Sequence, residues 1–203
     1  MEKINYNKAM ESIISGFNGG KKSLLLHVCC APCSSHCIDL LKNFFDITIF
    51  YYNPNIYPSH EFQKRRGEVF KLLECMDIHD IEIVTFKYDE NEYLKFIQGY
   101  ETEKEGGKRC ALCFRLRMEK AAEYAASHGF DYYTTTLSIS PHKNAALLNE
   151  IGLDIEQKYE IKYLPADFKK KEGYKHSVKM CLNYGIYRQD YCGCRFSLNS
   201  KEE

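Results

Sequence analysis

The sequence predicts an α/β protein: a mainly parallel, Rossmann-like sheet with helices on both faces. Three observations predict it. Short β-branched and aromatic runs alternate with longer segments of helical period along most of the chain. The runs are apolar and bounded by turn residues, as buried strands are. The length, 203 residues with 44% hydrophobic content, suits one domain able to bury its core without a disulfide framework.

The elements follow in order. Asn5 to Phe17 reads as a first helix, stopped by Asn18-Gly19-Gly20. Ser23 to Val28 is an apolar strand, and Ser34 to Leu41 a helix with Ile38 and Leu41 on one face. Ile47 to Tyr51 is a second strand, followed by the stiff loop Asn53-Pro54-Asn55-Ile56-Tyr57-Pro58. A helix from Ser59, its expected N-cap, runs to Cys75, and Ile81 to Val84 is a third strand. Asp89 to Ile97 is read as helical, and the charged stretch Glu101 to Lys108, with Gly106-Gly107, as a loop. Ala111 to Ser127 places Leu112, Leu116, Ala122 and Ala126 on one helical face, and Gly129 ends it. Tyr132 to Leu137 is a fourth strand, Ser138 to His142 a loop, and Lys143 to Ile151 a helix. A short strand is expected near Tyr159 to Leu164 and a helix from Tyr174 to Tyr184. The whole chain, 1–203, reads as a single α/β domain, with 157–203 a less regular, cysteine-bearing extension packed on the site.

Composition excludes several classes. No apolar run reaches the length of a membrane span, so no membrane partner is expected. The first residues, Met1 to Tyr6, lack the apolar core of a signal peptide, which points to the cytoplasm. Basic and acidic residues balance at 28 each, so any nucleic-acid contact must come from a local patch. Ten cysteines in a reducing compartment point to metal or redox chemistry rather than structural disulfides.

The cysteines fall into three groups: Cys29-Cys30-Ala31-Pro32-Cys33, Cys110-Ala111-Leu112-Cys113, and Cys192-Gly193-Cys194. Two thiolates spaced CxxC can face one metal, and two such pairs can close a four-thiolate site. Cys30/Cys33 with Cys110/Cys113 has that form, and so has Cys29/Cys30 with Cys110/Cys113. Spacing alone leaves zinc and iron–sulfur both open. The first group directly follows the first strand, where ligands of parallel sheets bind. Gly193 lets Cys192 and Cys194 turn towards each other, as a strained, reducible disulfide or as a metal-ligand pair. Cys37, Cys75 and Cys181 read as thiols packed in helix faces. There is no GxxxxGK[ST] loop and no GxGxxG, so nucleotide binding has no direct support.

His27 on the first strand reads first as a hydrogen-bonded core histidine, and His142 beside Pro141 as a substrate-contact or proton-transfer candidate. Arg65, Arg66, Arg115 and Arg117 could pair with phosphate, with solvated helix faces the default. From Ile161 to Arg195, Lys162, Lys169, Lys170, Lys171, Lys175, Lys179, Arg188 and Arg195 are interleaved with Tyr163, Phe168, Tyr174, Tyr184, Tyr187 and Tyr191. Bases can stack on such rings while the cations hold a phosphate backbone, so an RNA contact is expected here.

Five motifs in order carry a family resemblance: HVCCAPCSSHC from His27, YNPNIYP followed by Glu61 and Arg65, RCALCFRLRM from Arg109, TTTLSISPHKN from Thr134, and YGIYRQDYCGC from Tyr184. Together they resemble the epoxyqueuosine reductases of the QueH type, over about residues 23 to 197. The resemblance implies an adenine nucleotide α-hydrolase-like fold. It implies reduction of epoxyqueuosine to queuosine at the wobble position of tRNAs with GUN anticodons, the last step of queuosine biosynthesis. It implies a [4Fe-4S] cluster and no cobalamin. By position, Cys29, Cys30, Cys110 and Cys113 match the family's cluster ligands. Cys192 and Cys194 match its CxC, a redox-active pair or ligands of an additional iron. Some relatives carry Asp where Cys33 stands, so Cys33 either replaces one of the four or binds the adjacent iron.

Turning the epoxide into an alkene takes two electrons and two protons and releases water. Cys192/Cys194 as a dithiol would supply the electron pair, or the pair would hold an iron that polarises the epoxide oxygen. An electron donor, unidentified by sequence, must restore the enzyme. His142, Asp190 and Tyr191 are the proton-donor candidates by proximity to the motifs. A zinc-stabilised, non-catalytic RNA-binding module would explain the CxxC pairs and the basic stretch, but neither the CxC nor the adjacent Cys29-Cys30. An iron–sulfur tRNA thiolation enzyme on a related fold would want an ATP loop, which the sequence lacks.

Overall fold

The computed structural model describes residues 4–199. Five parallel strands lie in the order β3-β2-β1-β4-β5: β1 (Lys22–His27), β2 (Phe45–Tyr51), β3 (Glu82–Thr85), β4 (Tyr132–Thr135) and β5 (Lys162–Tyr163). β1 pairs with both β2 and β4, so Leu24 stands level with Ile47 on one side and Tyr132 on the other. The chain winds outward one way from β1 through β3, then crosses back to β4. The crevice between the carboxyl ends of β1 and β4 is thus the topological switch point.

Side chains of β1 alternate between two cores. Leu24 and Leu26 join one with Ile47 and Ile49 of β2, closed by α1 (Tyr6–Ser15), α2 (Ala31–Leu41), α3 (Ser59–Cys75) and α7 (Gly173–Tyr184). Leu25 joins the other with Phe50 and Tyr133, closed by α4 (Glu90–Phe96), α5 (Lys108–Ser127) and α6 (Ala145–Tyr159). A strand buried on both faces needs this unbroken apolar run.

Several boundaries differ from the sequence reading, each with a local cause. α2 starts three residues early, because Pro32 fits the first turn of a helix and Cys30 takes the cap position. α3 is capped by Pro58 rather than Ser59, with no side-chain hydrogen bond at the cap. α5 also starts three residues early, so Gly107 caps it and both Cys110 and Cys113 are helical. β4 ends at Thr135 and a 3₁₀ turn, Thr136–Ile139, takes over, because the Thr135 hydroxyl caps the Leu137 amide at 3.2 Å. α6 runs on to Tyr159 past Gly152, which is there for space: a Cβ would stand 2.4 Å from Cζ of Tyr163. The stretch expected to be less regular holds β5, α7 and the short α8 (Arg195–Asn199). Among the described residues there, 164–172 and 185–194 form no helix or strand.

Candidate metal and redox site

The exit of β1 builds the first group of thiols. Cys29 leaves the strand, Cys30 caps α2 in extended conformation, and Cys33 lies one turn into that helix. Their sulfurs all lie within 4.8 Å of one another, a donor set able to hold a metal ion. Cys29 Sγ is 3.6 Å from Cys30 Sγ. Hydrogen bonds from the Cys30 and Cys33 thiols hold Cys29 well below the ordinary thiol range, against the opposing pull of burial. The same sharing pushes Cys30 up to about 12 and raises Cys33. The trio thus favours one shared thiolate at a helix N-terminus, where the amide dipoles favour negative charge. Gln189 adds a donor, its Nε2 standing 2.9 Å from Cys30 Sγ.

The first turns of α5 build the second group. Cys110 and Cys113 lie on one helical face and join Cys29, Cys30 and Cys194 in one packed cluster. The Gly106 amide donates to Cys110 Sγ at 3.2 Å. Burial pushes Cys113 up to about 12, and raises Cys110. Both feel the charges of Cys192 and Cys194. Cys194 is buried, with Ser197 Oγ 3.6 Å from its sulfur, whereas Cys192 is half-buried. Every cysteine is a free thiol in the structure, the Cys192/Cys194 pair included.

Two cations sit between the groups. Arg117 is only 2% exposed, against the expectation of a solvated face. Its position four residues after Cys113 puts it on the same side of α5, where Nε donates to the Cys113 carbonyl at 3.0 Å. Its Nη2 is buried and makes no hydrogen bond to any described residue. Burial works against its charge, but the negative charges of Cys113, Cys29 and Cys192 outweigh that and raise its pKa. Lys143 is half-buried and shows the same balance: burial opposed and overcome by Cys192, Cys33 and Cys29. Sequence reasoning passed over Lys143; its one local signal is its place directly after His142.

A cavity of about 520 Å³ opens beside these groups, walled by Cys29, Cys33, Cys192, Lys143, Tyr174 and Asp190 among others. His142 lines it too, exposed, with its backbone amide bonded to Ser140 Oγ at 3.3 Å. Asp190 is likewise exposed at this wall. Tyr191 also lines it, but its hydroxyl is committed to the Tyr57 carbonyl at 2.5 Å.

His27 is the core histidine the sequence suggested. Its Nε2 donates to the Tyr52 carbonyl at 3.2 Å and its Nδ1 accepts from the Thr135 hydroxyl at 2.9 Å. Burial, reinforced by the Arg117 charge, takes its pKa down to about 3, so the ring is neutral near pH 7. Arg65 is buried too, not solvated. Cys37 and Cys181 are packed inside as expected, but Cys75 is exposed. Much of the basic stretch is internally paired: Lys171 with Glu11, Lys175 with Glu172, Lys169 with Asp167, and Arg195 with Glu90 through two contacts of 2.7 Å.

The family described as epoxyqueuosine reductase QueH matches residues 24–200 of this chain. The chain belongs to that family. Relatives named epoxyqueuosine reductase QueH include one from Staphylococcus epidermidis, 42% identical over 97% of this chain and 85% of its own length. One from Streptococcus pyogenes serotype M1 is 41% identical over 97% and 79%, and one from Thermotoga maritima 37% identical over 89% and 93%. The fold also resembles the crystal structure of a predicted subunit of tRNA methyltransferase from Methanocaldococcus jannaschii. That match has a TM-score of 0.50 at 13% identity, covering 77% of this chain and 74% of that one. At such identity it shows a shared α/β fold alone. Three of the five motifs, those that begin at His27, Thr134 and Tyr184, supply residues to the cavity wall.

Proposed function

We propose that this chain reduces epoxyqueuosine to queuosine at the wobble position of tRNAs with GUN anticodons. The observation that carries this reading is the family match across residues 24–200, which takes in all seven cysteines gathered beside the cavity. We assign Cys29, Cys30, Cys110 and Cys113 as the holders of a [4Fe-4S] cluster. The donor set fits such a group: three buried thiols and the half-buried Cys110, Cys29 among them acidic, with Arg117 and Lys143 placed to offset the negative charge. Arg117 Nη2, buried without a partner among the described residues, is a donor of the kind that cluster sulfur would engage. When bound, the cluster supplies electrons one at a time.

Cys33 and the pair Cys192/Cys194 are then left to complete the electron pair. As a dithiol, Cys192 and Cys194 would give up two electrons and two protons on closing to a disulfide, which an external donor must reopen. As ligands they would hold one additional iron, with Cys33 in reach of the same wall. Cys192 fits the first role best as the half-exposed, attacking thiol, with Cys194 buried behind it. Proton delivery to the released oxygen falls to His142 or Asp190, both open to the cavity. Tyr191 is the weaker candidate, because its hydroxyl is already donated. A cytoplasmic setting is part of this reading, since the substrate is tRNA. Among the described residues no helix is long and apolar enough to cross a membrane.

The test is iron and acid-labile sulfide per chain on protein purified without oxygen, with nucleoside analysis of epoxyqueuosine-bearing tRNA after single-turnover reduction. Matching iron and sulfide with queuosine formed is the expected result. Iron in excess of sulfide would move Cys192 and Cys194 from dithiol to ligands. Zinc without sulfide and no queuosine would replace this reading with a zinc-stabilised RNA-binding module.

A further inference from the structure

We propose that Arg65 is a positioning residue that holds the Cys192-Gly193-Cys194 turn in its working place. Arg65 projects from α3 and is 2% exposed. Its Nη1 donates to the Cys192 carbonyl at 3.0 Å and its Nη2 to the Tyr191 carbonyl at 3.4 Å, while the guanidinium lies 4.9 Å from the Tyr191 ring centre. The third edge, Nε, is fixed by Glu61 at 2.7 Å, and Glu61 is in turn held by the Tyr187 hydroxyl at 3.2 Å. The loop before α3 completes the grip. The Tyr57 amide donates to the Gly193 carbonyl at 2.8 Å, and Tyr191 Oη returns a bond to the Tyr57 carbonyl.

Three features separate this arrangement from ordinary core packing. The groups held are backbone carbonyls of the segment that carries the CxC, in a stretch with no helix or strand to fix it. A planar fork with fixed N–H directions matches two adjacent carbonyls and a carboxylate at once, which a lysine ammonium does not. A buried Arg–Glu pair gives little net stability, because desolvation consumes most of the attraction, so stability alone does not account for its burial. Gly193 is shaped to the same partner. Its φ of +132° is one that side chains disfavour, and a Cβ there would stand 2.9 Å from Arg65 Nη1. The catalytic arm of the test below rests on the reduction reaction proposed above; the geometric arm does not.

The experiment compares Arg65→Lys and Arg65→Ala with the parent protein, full length and purified without oxygen. Iodoacetamide labelling of each cysteine is followed by mass spectrometry, alongside turnover of epoxyqueuosine-bearing tRNA. The expected result is labelling of Cys192 and Cys194 about tenfold faster in both variants, in line with local opening of one segment. Cys37 and Cys181, the buried thiols elsewhere, should label at the parent rate. kcat should fall with KM for tRNA unchanged, and added guanidinium should restore both labelling and kcat in Arg65→Ala. Parent-like labelling of Cys192 and Cys194 would overturn the proposal. So would faster labelling of Cys37 and Cys181 in step with them, which is the mark of a merely structural role. If neither variant folds, Tyr187→Phe loosens Glu61 alone: a smaller rise confined to Cys192 and Cys194 supports the proposal, and no rise overturns it. A parent protein that fails to reduce the tRNA counts against the proposed reaction and leaves the labelling result to decide on Arg65.

Discussion

The two ends of the site are held in opposite ways. Cys29, Cys30 and Cys33 sit where the central strand hands over to a helix. β1 is laddered on both sides, the Val28 amide bonds to the Phe50 carbonyl at 3.1 Å, and Asn53 Nδ2 bonds to the Val28 carbonyl at 2.8 Å. Cys192 and Cys194 lie in a stretch without regular structure, tied down by side chains reaching to its carbonyls. The first group is as stable as the sheet itself. The second can open at the cost of a few hydrogen bonds. The redox role proposed for Cys192 and Cys194 would gain from that freedom, and the metal-holding role proposed for Cys29 and Cys30 from having none.

The largest effect that would break this contrast is at the fixed end. Cys30→Ser should leave the protein folded but strip it of most of its iron and all measurable turnover, read by elemental analysis and nucleoside analysis. Parent-like iron would remove Cys30 from the ligand set. At the loose end, Gly193→Ala puts a Cβ against Arg65 and demands an unfavourable φ. Turnover should fall about 100-fold, as small misplacements at reacting groups do, while iron stays near the parent value. Equal loss of iron in this variant would show the two ends to be one unit.

Two further substitutions sharpen the comparison by loading the sheet away from the cysteines. Gly152→Ala drives a methyl into the Tyr163 ring behind β5 and should cost about 1–3 kcal/mol in denaturant titration, with the intrinsic turnover of the folded fraction kept. Asp131→Asn is the mildest. The Asp131 carboxylate takes both the amide and the hydroxyl of Ser23 at 2.9 Å, tying the start of β1 to the start of β4. Those bonds, the amide first, hold its pKa below the ordinary 3.8. A folded-state pKa below the unfolded one gives stability that is complete above the unfolded value and lost as pH falls through the folded one. The parent should therefore exceed the variant by at most about 1 kcal/mol near neutral pH, with the gap closing in acid below 3.8. A gap that widened in acid would contradict the assignment.

The fold was largely legible because its signals are local. The run Leu24-Leu25-Leu26 alternates between two cores in the way an unbroken apolar strand must, and Leu116 and Ala122 are buried where their period puts them, whereas Ala126 is exposed and Ala125 takes the inward place. The errors were at punctuation. The helices expected from Ser34 and Ala111 begin at Ala31 and Lys108, because Pro32 fits a first turn and Gly107 a cap, so α2 and α5 reach back to the cysteines. The helix expected to end at Ile151 runs on past Gly152, which makes room for the Tyr163 ring. The cysteine groups themselves were visible, and so was the crevice that a strand exit implies. What the sequence could not show is which charged residues are buried. Arg65 and Arg117 carry the same local signature as solvated helix arginines, and only contacts made across 126 residues or with facing helices decide between the two. The pairing of much of the basic stretch with acids such as Glu11 and Glu90 was hidden for the same reason.

The order of the strands sets a timetable for making the protein. All five strands and both cores, Cys194 and Phe196 apart, lie N-terminal to the Cys192-Gly193-Cys194 turn. A ribosome therefore releases the sheet, and with it the trio at the exit of β1 and the pair on α5, before the last wall of the cavity exists. During that interval the cavity lacks the wall that Arg188 to Cys192 supply. A metal held by the thiols as proposed would have that open side to enter from.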